Sequence, residues 1–226
     1  MSNNAAAFHY AEKDADYYDS TREEATTLVD PQGLRVLDVG CGSGVVGASL
    51  KRAGAREVVG IEYAPDAARR AALVLDRVLT GDVDTLPLDF APGSFDLMLC
   101  LDVLEHLPYP EATLNRLLPF LSAHGTLLVS LPNMRYAGTL KKLIFEADWP
   151  RLPSGIFDGT HLRWFTDKSA RRMFAEAGLE VVTRRRVPLG GLNGLLRRAP
   201  FLRPLLSDWV TVQLIYVTRL KREGQS

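Results

Sequence analysis

The sequence has no net charge and no long hydrophobic run. Its 27 lysines and arginines balance 27 aspartates and glutamates over 226 residues, so the chain lacks the basic field that accompanies nucleic-acid binding. No segment approaches the roughly 18 consecutive apolar residues that span a bilayer, and no basic cluster followed by an apolar run stands near Met1. These absences predict a cytoplasmic protein without a nucleic-acid partner.

Cysteine and histidine are both scarce, which limits the kinds of site the chain can form. The two cysteines, Cys41 and Cys100, lie in apolar, strand-like segments rather than at disulfide or metal-ligand spacing. We expect both to be reduced. Of the four histidines, His9 falls in a charged amino-terminal segment and His124 in a turn before a strand. We expect these two to be exposed to solvent.

The sequence does contain a regular alternation of strand-like and helical segments. Apolar residues make up 46% of the chain, enough for one sizeable core. The alternation predicts an α/β domain of the doubly wound, Rossmann-like type, with a mainly parallel sheet and helices on both faces. The predicted strands include 34–39, 57–61, 95–101, 126–131, 179–187 and 209–218, and the predicted helices end at Ala53 or cover 65–79, 110–121 and 167–177.

One region interrupts this alternation. Between residues 132 and 166, aromatic residues, prolines and glycines are scattered without a regular period, which is typical of an inserted lid or acceptor-binding region. We therefore predict a single domain over 1–226. Its parts are an amino-terminal cover (1–33), a ligand-binding core (34–131), the insertion (132–166), and a carboxyl-terminal helix with closing strands (167–226).

A glycine-rich turn follows the first predicted strand. Gly40, Gly42 and Gly44 let the backbone approach a ligand, and the helix that follows directs its free N–H groups there. The segment from Gly42 to Gly47 also matches the dinucleotide fingerprint, so a NAD-dependent oxidoreductase is one alternative. Asp38 argues against it, because a carboxylate beside the turn repels a pyrophosphate but pairs with an amino group, such as that of S-adenosylmethionine.

Two further acids follow in an order that suits adenosine. Glu62 ends the second strand, where an acid accepts the ribose hydroxyls of either nucleotide family. Asp82 follows the third strand and is placed for the adenine amino group, with Val83 packing against the ring. Each acid could instead cap a helix or close a turn. The three acids in this order nevertheless favour a bound adenosine.

With these motifs together, the sequence resembles the class I S-adenosylmethionine-dependent methyltransferases. The resemblance is carried by 36–47, 60–62, 81–82 and 95–106, and it spans most of 34–131. It implies S-adenosylmethionine as the cofactor, methyl transfer as the activity, and a seven-stranded sheet whose last strand is antiparallel. It also implies a cofactor site lined by Gly40, Gly42, Glu62, Asp82, Val83 and Leu101.

The later part of the chain is similar to one bacterial subgroup of these enzymes. Segments 131–133, 157–166 and 177–178, with the region of Trp149, carry this likeness. Members of the subgroup accompany glycan and surface-polysaccharide assembly, which implies O-methylation of a sugar, a glycan or another small hydroxylated metabolite. A non-catalytic adenosine-binding module stays open as a further alternative.

Candidate catalytic residues fall in two places. Asp102 and His106 follow the fourth predicted strand, at the end where doubly wound sheets bind ligands; they either contact cofactor and acceptor or form a hydrogen-bonded turn. His161 lies in an acid, imidazole and guanidinium cluster at 158–163, where it either acts as a base or braces the insertion. Glu105 with the two histidines offers metal-binding atoms, but no ligand spacing demands an ion, and we predict no metal.

Basic and apolar residues alternate through 184–203. Such a stretch can lie peripherally on an anionic membrane or bind a phosphorylated, lipid-linked acceptor, since arginines attract phosphate and leucines bury in the interface. More often the leucines pack against the protein's own sheet and the arginines stay in solvent. We favour this second interpretation.

Overall fold

The computed structural model describes residues 22–189 and 203–221, which contain one seven-stranded sheet in the order β3-β2-β1-β4-β5-β7-β6. Strands β1 to β5 run parallel to one another, while β7 is antiparallel to both β5 and β6. This confirms the expected sheet with an antiparallel last strand. The strands are β1 Arg35–Val39, β2 Glu57–Glu62, β3 Arg77–Thr80, β4 Phe95–Leu101, β5 Leu121–Pro132, β6 Leu179–Pro188 and β7 Thr211–Leu220.

Helices connect the strands and cover the sheet. Two begin with proline at their first position, where the missing N–H costs no hydrogen bond. The helices are α1 Glu23–Thr26, α2 Val45–Arg52, α3 Pro65–Ala71, α4 Pro110–Leu117, α5 Ala137–Phe145, α6 Asp167–Glu176 and α7 Arg203–Val210, with 3₁₀ turns at Leu104–His106 and Leu118–Phe120. No helix among the described residues is long and apolar enough to cross a membrane.

The sheet is buried on both faces. Successive residues of a strand point to opposite faces, and in β1 Val36 joins one apolar cluster while Leu37 joins the other. Helices α2 and α3 pack on the face of Val36, whereas α4 and α6 pack on the face of Leu37. This layering explains why the central strands are almost entirely apolar.

The structure departs from the predicted elements most clearly in two places. The predicted helix over 65–79 is wrong in its second half, because α3 ends at Ala71 and residues 77–80 form β3. This strand lies at the sheet's edge and is only half-buried, so its pattern lacks the apolar run of the central strands. The insertion also contains a regular helix, α5, that was not predicted.

The arm at 184–203 is only partly described, because residues 190–202 lie outside the described residues. Its first three arginines contact the chain itself. Arg184 pairs with Asp167, Arg185 donates to the Glu24 carbonyl, and Arg186 pairs with an acid of α7. In this portion the arginines therefore bind the protein's own surface.

Candidate functional site

A cavity opens at the carboxyl ends of β1, β2 and β4. Parallel strands of a doubly wound sheet present their connecting loops at this edge, where ligands bind. The cavity contains most of the predicted site residues, namely Asp38, Gly40, Gly42, Glu62, Asp82, Val83, Leu101, Asp102 and His106. Gly44 and His161 do not line it. Residues far apart in sequence thus meet at one sheet edge, as the motif order predicted.

The glycine loop needs backbone conformations that other residues rarely adopt. Gly40 has φ 68° and Gly44 has φ 85°, in the left-handed region that favours glycine. A Cβ at Gly40 would lie 2.6 Å from the side chain of Val103, which also lines the cavity. A Cβ at Gly44 would instead meet α3, 3.0 Å from the Ala71 Cα. Gly40 therefore shapes the cavity, whereas Gly44 lets α2 begin against α3.

Asp38 is buried directly beneath this loop. Its side chain is 3% exposed, and its Oδ2 has no hydrogen-bond partner among the described residues. Burial, helped by the nearby charge of Glu62, raises the pKa of Asp38 to about 7. A buried carboxyl oxygen without a donor is costly unless a ligand supplies one. The site therefore offers a place for a cationic or N–H-bearing group.

Glu62 connects the loop after β1 to the loop after β2. Its two carboxylate oxygens accept hydrogen bonds from the backbone N–H groups of Gly42 and Ala64, each at 2.8 Å. Burial raises its pKa, while these hydrogen bonds oppose that rise. Asp82, in the next loop, accepts from the Asp84 N–H at 2.9 Å. Both acids keep lone pairs available for ligand hydroxyl or amino groups.

Asp102 stands at the end of β4 in a left-handed conformation, with φ 56°. Non-glycine residues adopt this conformation rarely, and it concentrates at functional sites. Its Oδ1 accepts hydrogen bonds from Ser130 at 2.6 Å and Gln213 at 2.5 Å, and its Oδ2 pairs with Arg22 at 2.5 Å. Both oxygens are thus engaged by the chain, which suits a role in positioning the turn.

The 3₁₀ turn Leu104–His106, which follows Asp102, places His106 beside His161. The rings of His106 and His161 lie 4.7 Å apart, centroid to centroid. Burial, with a smaller contribution from His161, lowers the pKa of His106 to about 4, so this ring is neutral near pH 7. Glu105 is almost completely buried, and desolvation raises its pKa well above the ordinary value. The insertion is fixed to this turn because the N–H groups of Leu162 and Arg163 both donate to the Glu105 carbonyl.

Comparison with known proteins decides the class. A family model described as a methyltransferase domain matches residues 10–184, more than half of the chain. The chain belongs to the methyltransferase domain family. This confirms the predicted membership of the class I S-adenosylmethionine-dependent methyltransferases, and with it the predicted cofactor. The dinucleotide interpretation of the segment from Gly42 to Gly47 is not supported.

Individual relatives agree with this family. A ubiquinone biosynthesis O-methyltransferase of Neisseria meningitidis serogroup C (strain 053442) is 32% identical over 160 residues, which cover 67% of this chain. The match covers 66% of that protein, so the chain spans just under two thirds of the length of this curated relative. A relative from Xanthomonas euvesicatoria pv. vesicatoria (strain 85-10) has the same name and is 37% identical over 117 residues, 49% of this chain and 48% of its own. These names do not support the predicted glycan subgroup.

Solved structures show the same fold. An S-adenosylmethionine-dependent methyltransferase of Archaeoglobus fulgidus aligns with a TM-score of 0.69 at 14% identity, covering 97% of this chain and all of the other. Magnesium protoporphyrin IX methyltransferase of Synechocystis PCC 6803, solved with bound S-adenosylhomocysteine, aligns with a TM-score of 0.61 at 18% identity. The alignment covers 92% of this chain and 83% of the other. At these identities the likeness concerns the fold.

Exposed apolar side chains accompany the cavity of this methyltransferase. Leu162 lines the cavity and is itself exposed. In the same insertion, the exposed rings of Trp149 and Trp164 lie 5.6 Å apart, and Phe157 packs edge-on against Trp149. Exposed aromatic groups of this kind mark surfaces that bind apolar ligands or partners. The insertion therefore carries an exposed apolar surface.

Sequence reasoning missed several residues that shape the methyltransferase site. Arg22 lines the cavity and pairs with Asp102, although it precedes the first strand. Gln213 reaches the same acid from β7. Arg116 of α4 donates to the carbonyls of Val83 and Leu86 and so holds the loop that carries Asp82. No local motif marks these residues, because each acts on a segment remote in sequence.

Proposed function

We propose that this methyltransferase transfers the methyl group of S-adenosylmethionine to a hydroxyl on an aromatic ring of a small, largely apolar molecule. The observation that carries the proposal is a single cavity that extends from Asp38, beneath the glycine loop, to His106 and Leu162 beside the insertion. The relatives named ubiquinone biosynthesis O-methyltransferase support the O-methyl product. The exposed tryptophans of the insertion support an apolar acceptor.

The cofactor end of the cavity fits S-adenosylmethionine on the residues present. The Asp38 oxygen that lacks a donor suits the amino group, and the Gly40 position, which a Cβ would fill, suits close approach of the ligand. In this proposal Glu62 accepts the ribose hydroxyls and Asp82 accepts from the adenine amino group. Bound there, S-adenosylmethionine supplies a methyl carbon activated by its sulfonium.

The remaining predicted cofactor residues receive different roles in this proposal. Val83 and Leu101 are apolar, nearly buried and on the cavity wall, so they pack against the adenosine. Gly42 donates its N–H to Glu62 and keeps that acid in place. Gly44 acts through packing rather than through contact with the cofactor. The chain thus holds the cofactor mainly by backbone shape and three acids.

At the acceptor end, the chain's task is to orient a hydroxyl toward the methyl carbon, since positioning supplies much of the rate in a displacement of this type. We place the acceptor hydroxyl beside His106, with His161 behind that ring and Asp102 holding the turn. The acceptor oxygen forms the new bond to carbon as the carbon–sulfur bond breaks, and the hydroxyl proton passes to solvent. The products are the methyl ether and S-adenosylhomocysteine.

A screen of acceptors tests this proposal. The protein is incubated with methyl-labelled S-adenosylmethionine and, separately, with aromatic alcohols bearing apolar tails, with simple phenols and with free or lipid-linked sugars. We expect label in the aromatic fractions, with the tailed compounds giving the higher kcat/KM. Label confined to sugars would overturn the acceptor class, and binding of S-adenosylhomocysteine without any transfer would favour the non-catalytic module.

A further inference from the structure

The loop that follows β3 is held in place by helix α4. Thr113 and Arg116 lie three residues apart on this helix, and therefore on the same face of it. The guanidinium of Arg116 donates to the backbone carbonyls of Val83 and Leu86. The hydroxyl of Thr113 donates to the carboxylate of Asp84. Three hydrogen bonds thus connect one face of α4 to this loop.

The contacts of α4 extend to the side chain of Asp82 through the loop itself. The Asp82 Oδ1 accepts a hydrogen bond from the Asp84 N–H at 2.9 Å. The Asp82 carbonyl accepts from the N–H groups of Thr85 at 3.0 Å and Leu86 at 2.7 Å. Asp82 therefore begins a tight turn, and the direction of its carboxylate depends on the shape of that turn.

Both anchoring side chains of α4 are shielded from solvent to some degree. Thr113 is 1% exposed and Arg116 is half-buried, while Val83 belongs to the apolar core. Because a buried carbonyl without a donor is costly, the loop depends on the guanidinium that it meets there. Arginine suits this position, since its planar fork directs separate N–H groups to two acceptors, which a lysine does less well.

We propose that Arg116 is a positioning residue for cofactor specificity, which aims the Asp82 carboxylate so that the site selects adenine over hypoxanthine. Adenine presents an amino group that donates to a carboxylate, whereas hypoxanthine presents a carbonyl oxygen there, which a carboxylate repels. A site built around one hydrogen bond rejects an analogue that lacks the donor. The inference rests on the proposed function for the contact between Asp82 and the adenine amino group.

This selection depends on the direction of the carboxylate as well as on its presence, because a hydrogen bond weakens steeply when it is misaligned. Asp82 and Val83 line the same cavity, and in the proposed site Val83 packs against the purine ring. That apolar contact is the same for both bases. A loosened loop should therefore still bind a purine nucleoside but no longer distinguish the two bases.

Selection is measured on the full chain by calorimetry with two probes, S-adenosylhomocysteine and S-inosylhomocysteine, which has hypoxanthine in place of adenine. We expect the unmodified chain to bind the adenine compound about 10–100-fold more tightly. In Arg116→Ala this ratio should fall to about threefold or less, mainly through weaker binding of the adenine compound. Arg116→Lys keeps the charge without the planar fork, so its ratio should lie between these two.

A matched pair of variants at Thr113 tests the second contact. Thr113→Val removes the donor to Asp84, which should lower the ratio about 2–10-fold, whereas Thr113→Ser keeps the hydroxyl and should keep the ratio. Arg172→Ala, at an exposed position of α6, is the arginine control and should also keep it. Unfolded protein lowers the binding stoichiometry for both probes alike, so a variant that only loses stability retains its ratio.

The possible results separate this inference from the proposed function. An unchanged ratio in Arg116→Ala would overturn the positioning role and leave the proposed cofactor site intact. If Arg116→Ala binds neither probe, Arg116→Lys decides by the same comparison. Equal binding of both probes by the unmodified chain would overturn the adenine contact of Asp82 together with this inference. Selection of adenine through Arg116 without methyl transfer to any aromatic alcohol would refute only the proposed acceptor.

Discussion

At the scale of single residues, the carboxyl group of Asp38 is the part of the proposed cofactor site that is most directly testable. Replacing it by asparagine keeps its shape but removes its charge. If Asp38 binds the amino group of the cofactor, Asp38→Asn loses a charge-assisted hydrogen bond of about 1.5–3 kcal/mol, which corresponds to roughly tenfold to a hundredfold weaker binding of S-adenosylhomocysteine. Calorimetry measures this change. Asp148→Asn, at an exposed position, serves as the control and should bind normally.

Asp38 should also make the binding of S-adenosylhomocysteine depend on pH. Burial raises the Asp38 pKa from its ordinary 3.8 to about 7, so the protonated acid predominates in the unliganded protein below about pH 7. Its contribution to stability is complete below about pH 4 and is lost as the pH rises through about 7. Affinity for the ligand should rise over the upper part of this window, since the amino group requires the charged form. An identical pH profile in Asp38→Asn would contradict the assignment.

At the residue scale, sequence alone predicted that three acids lie together, and all three line the cavity. Asp38, Glu62 and Asp82 lie at or just after the carboxyl ends of β1, β2 and β3, and parallel strands present such residues at one edge. The contacts of Asp102 were not predictable in this way. Its partners Arg22 and Gln213 come from opposite ends of the described chain, and no periodicity encodes pairs so distant.

At the scale of elements, the join between β1 and α2 depends on a glycine for two separate reasons. Gly44 has φ 85°, and an added Cβ would lie 3.0 Å from the Ala71 backbone. We expect Gly44→Ala to cost about 1–2 kcal/mol for the left-handed conformation and about 1–3 kcal/mol more for the forced contact. Chemical denaturation measures the sum.

The same substitution at Gly33 separates the cost of the left-handed conformation from the cost of the forced contact. Gly33 also has a positive φ, 73°, but an added Cβ would meet nothing within 4 Å. Gly33→Ala should therefore lose only the conformational part, and the difference between the variants measures the packing of α2 against α3. Equal losses would show that α3 yields to the extra methyl group without cost.

The elements that sequence predicted well are those with strong local patterns. The central strands are largely apolar, and α6 is preceded by Thr166 as its N-cap, which forms a capping box with Ser169. The failure at β3 has a physical cause. Strand β3 is stabilised by pairing with β2, from Val59 opposite Arg77 to Glu62 opposite Thr80, whereas its own residues follow an alanine-rich helix. Pairing across the sheet overrode the local preference.

At the scale of the whole molecule, cofactor binding should raise the free energy of unfolding. A ligand at a hundred times its dissociation constant adds about 2.7 kcal/mol, which for a domain of this size raises Tm by roughly 5–11 °C. We expect this shift with S-adenosylmethionine and S-adenosylhomocysteine, measured by differential scanning fluorimetry. NADH is the control and should give none. A shift with NADH alone would refute the assigned cofactor.

The sheet order also constrains how the protein is made. Strand β6 pairs only with β7 among the described strands, and β7 is the last of them in sequence. While the chain is being synthesised, the edges of β5 and β6 that pair with β7 therefore stay unpaired until residues 211–220 leave the ribosome. Gln213, which holds Asp102, arrives in the same step. A nascent chain already has its glycine loop and its three acids, but the turn at Asp102 gains its hydrogen bond from Gln213 only after β7 has been synthesised.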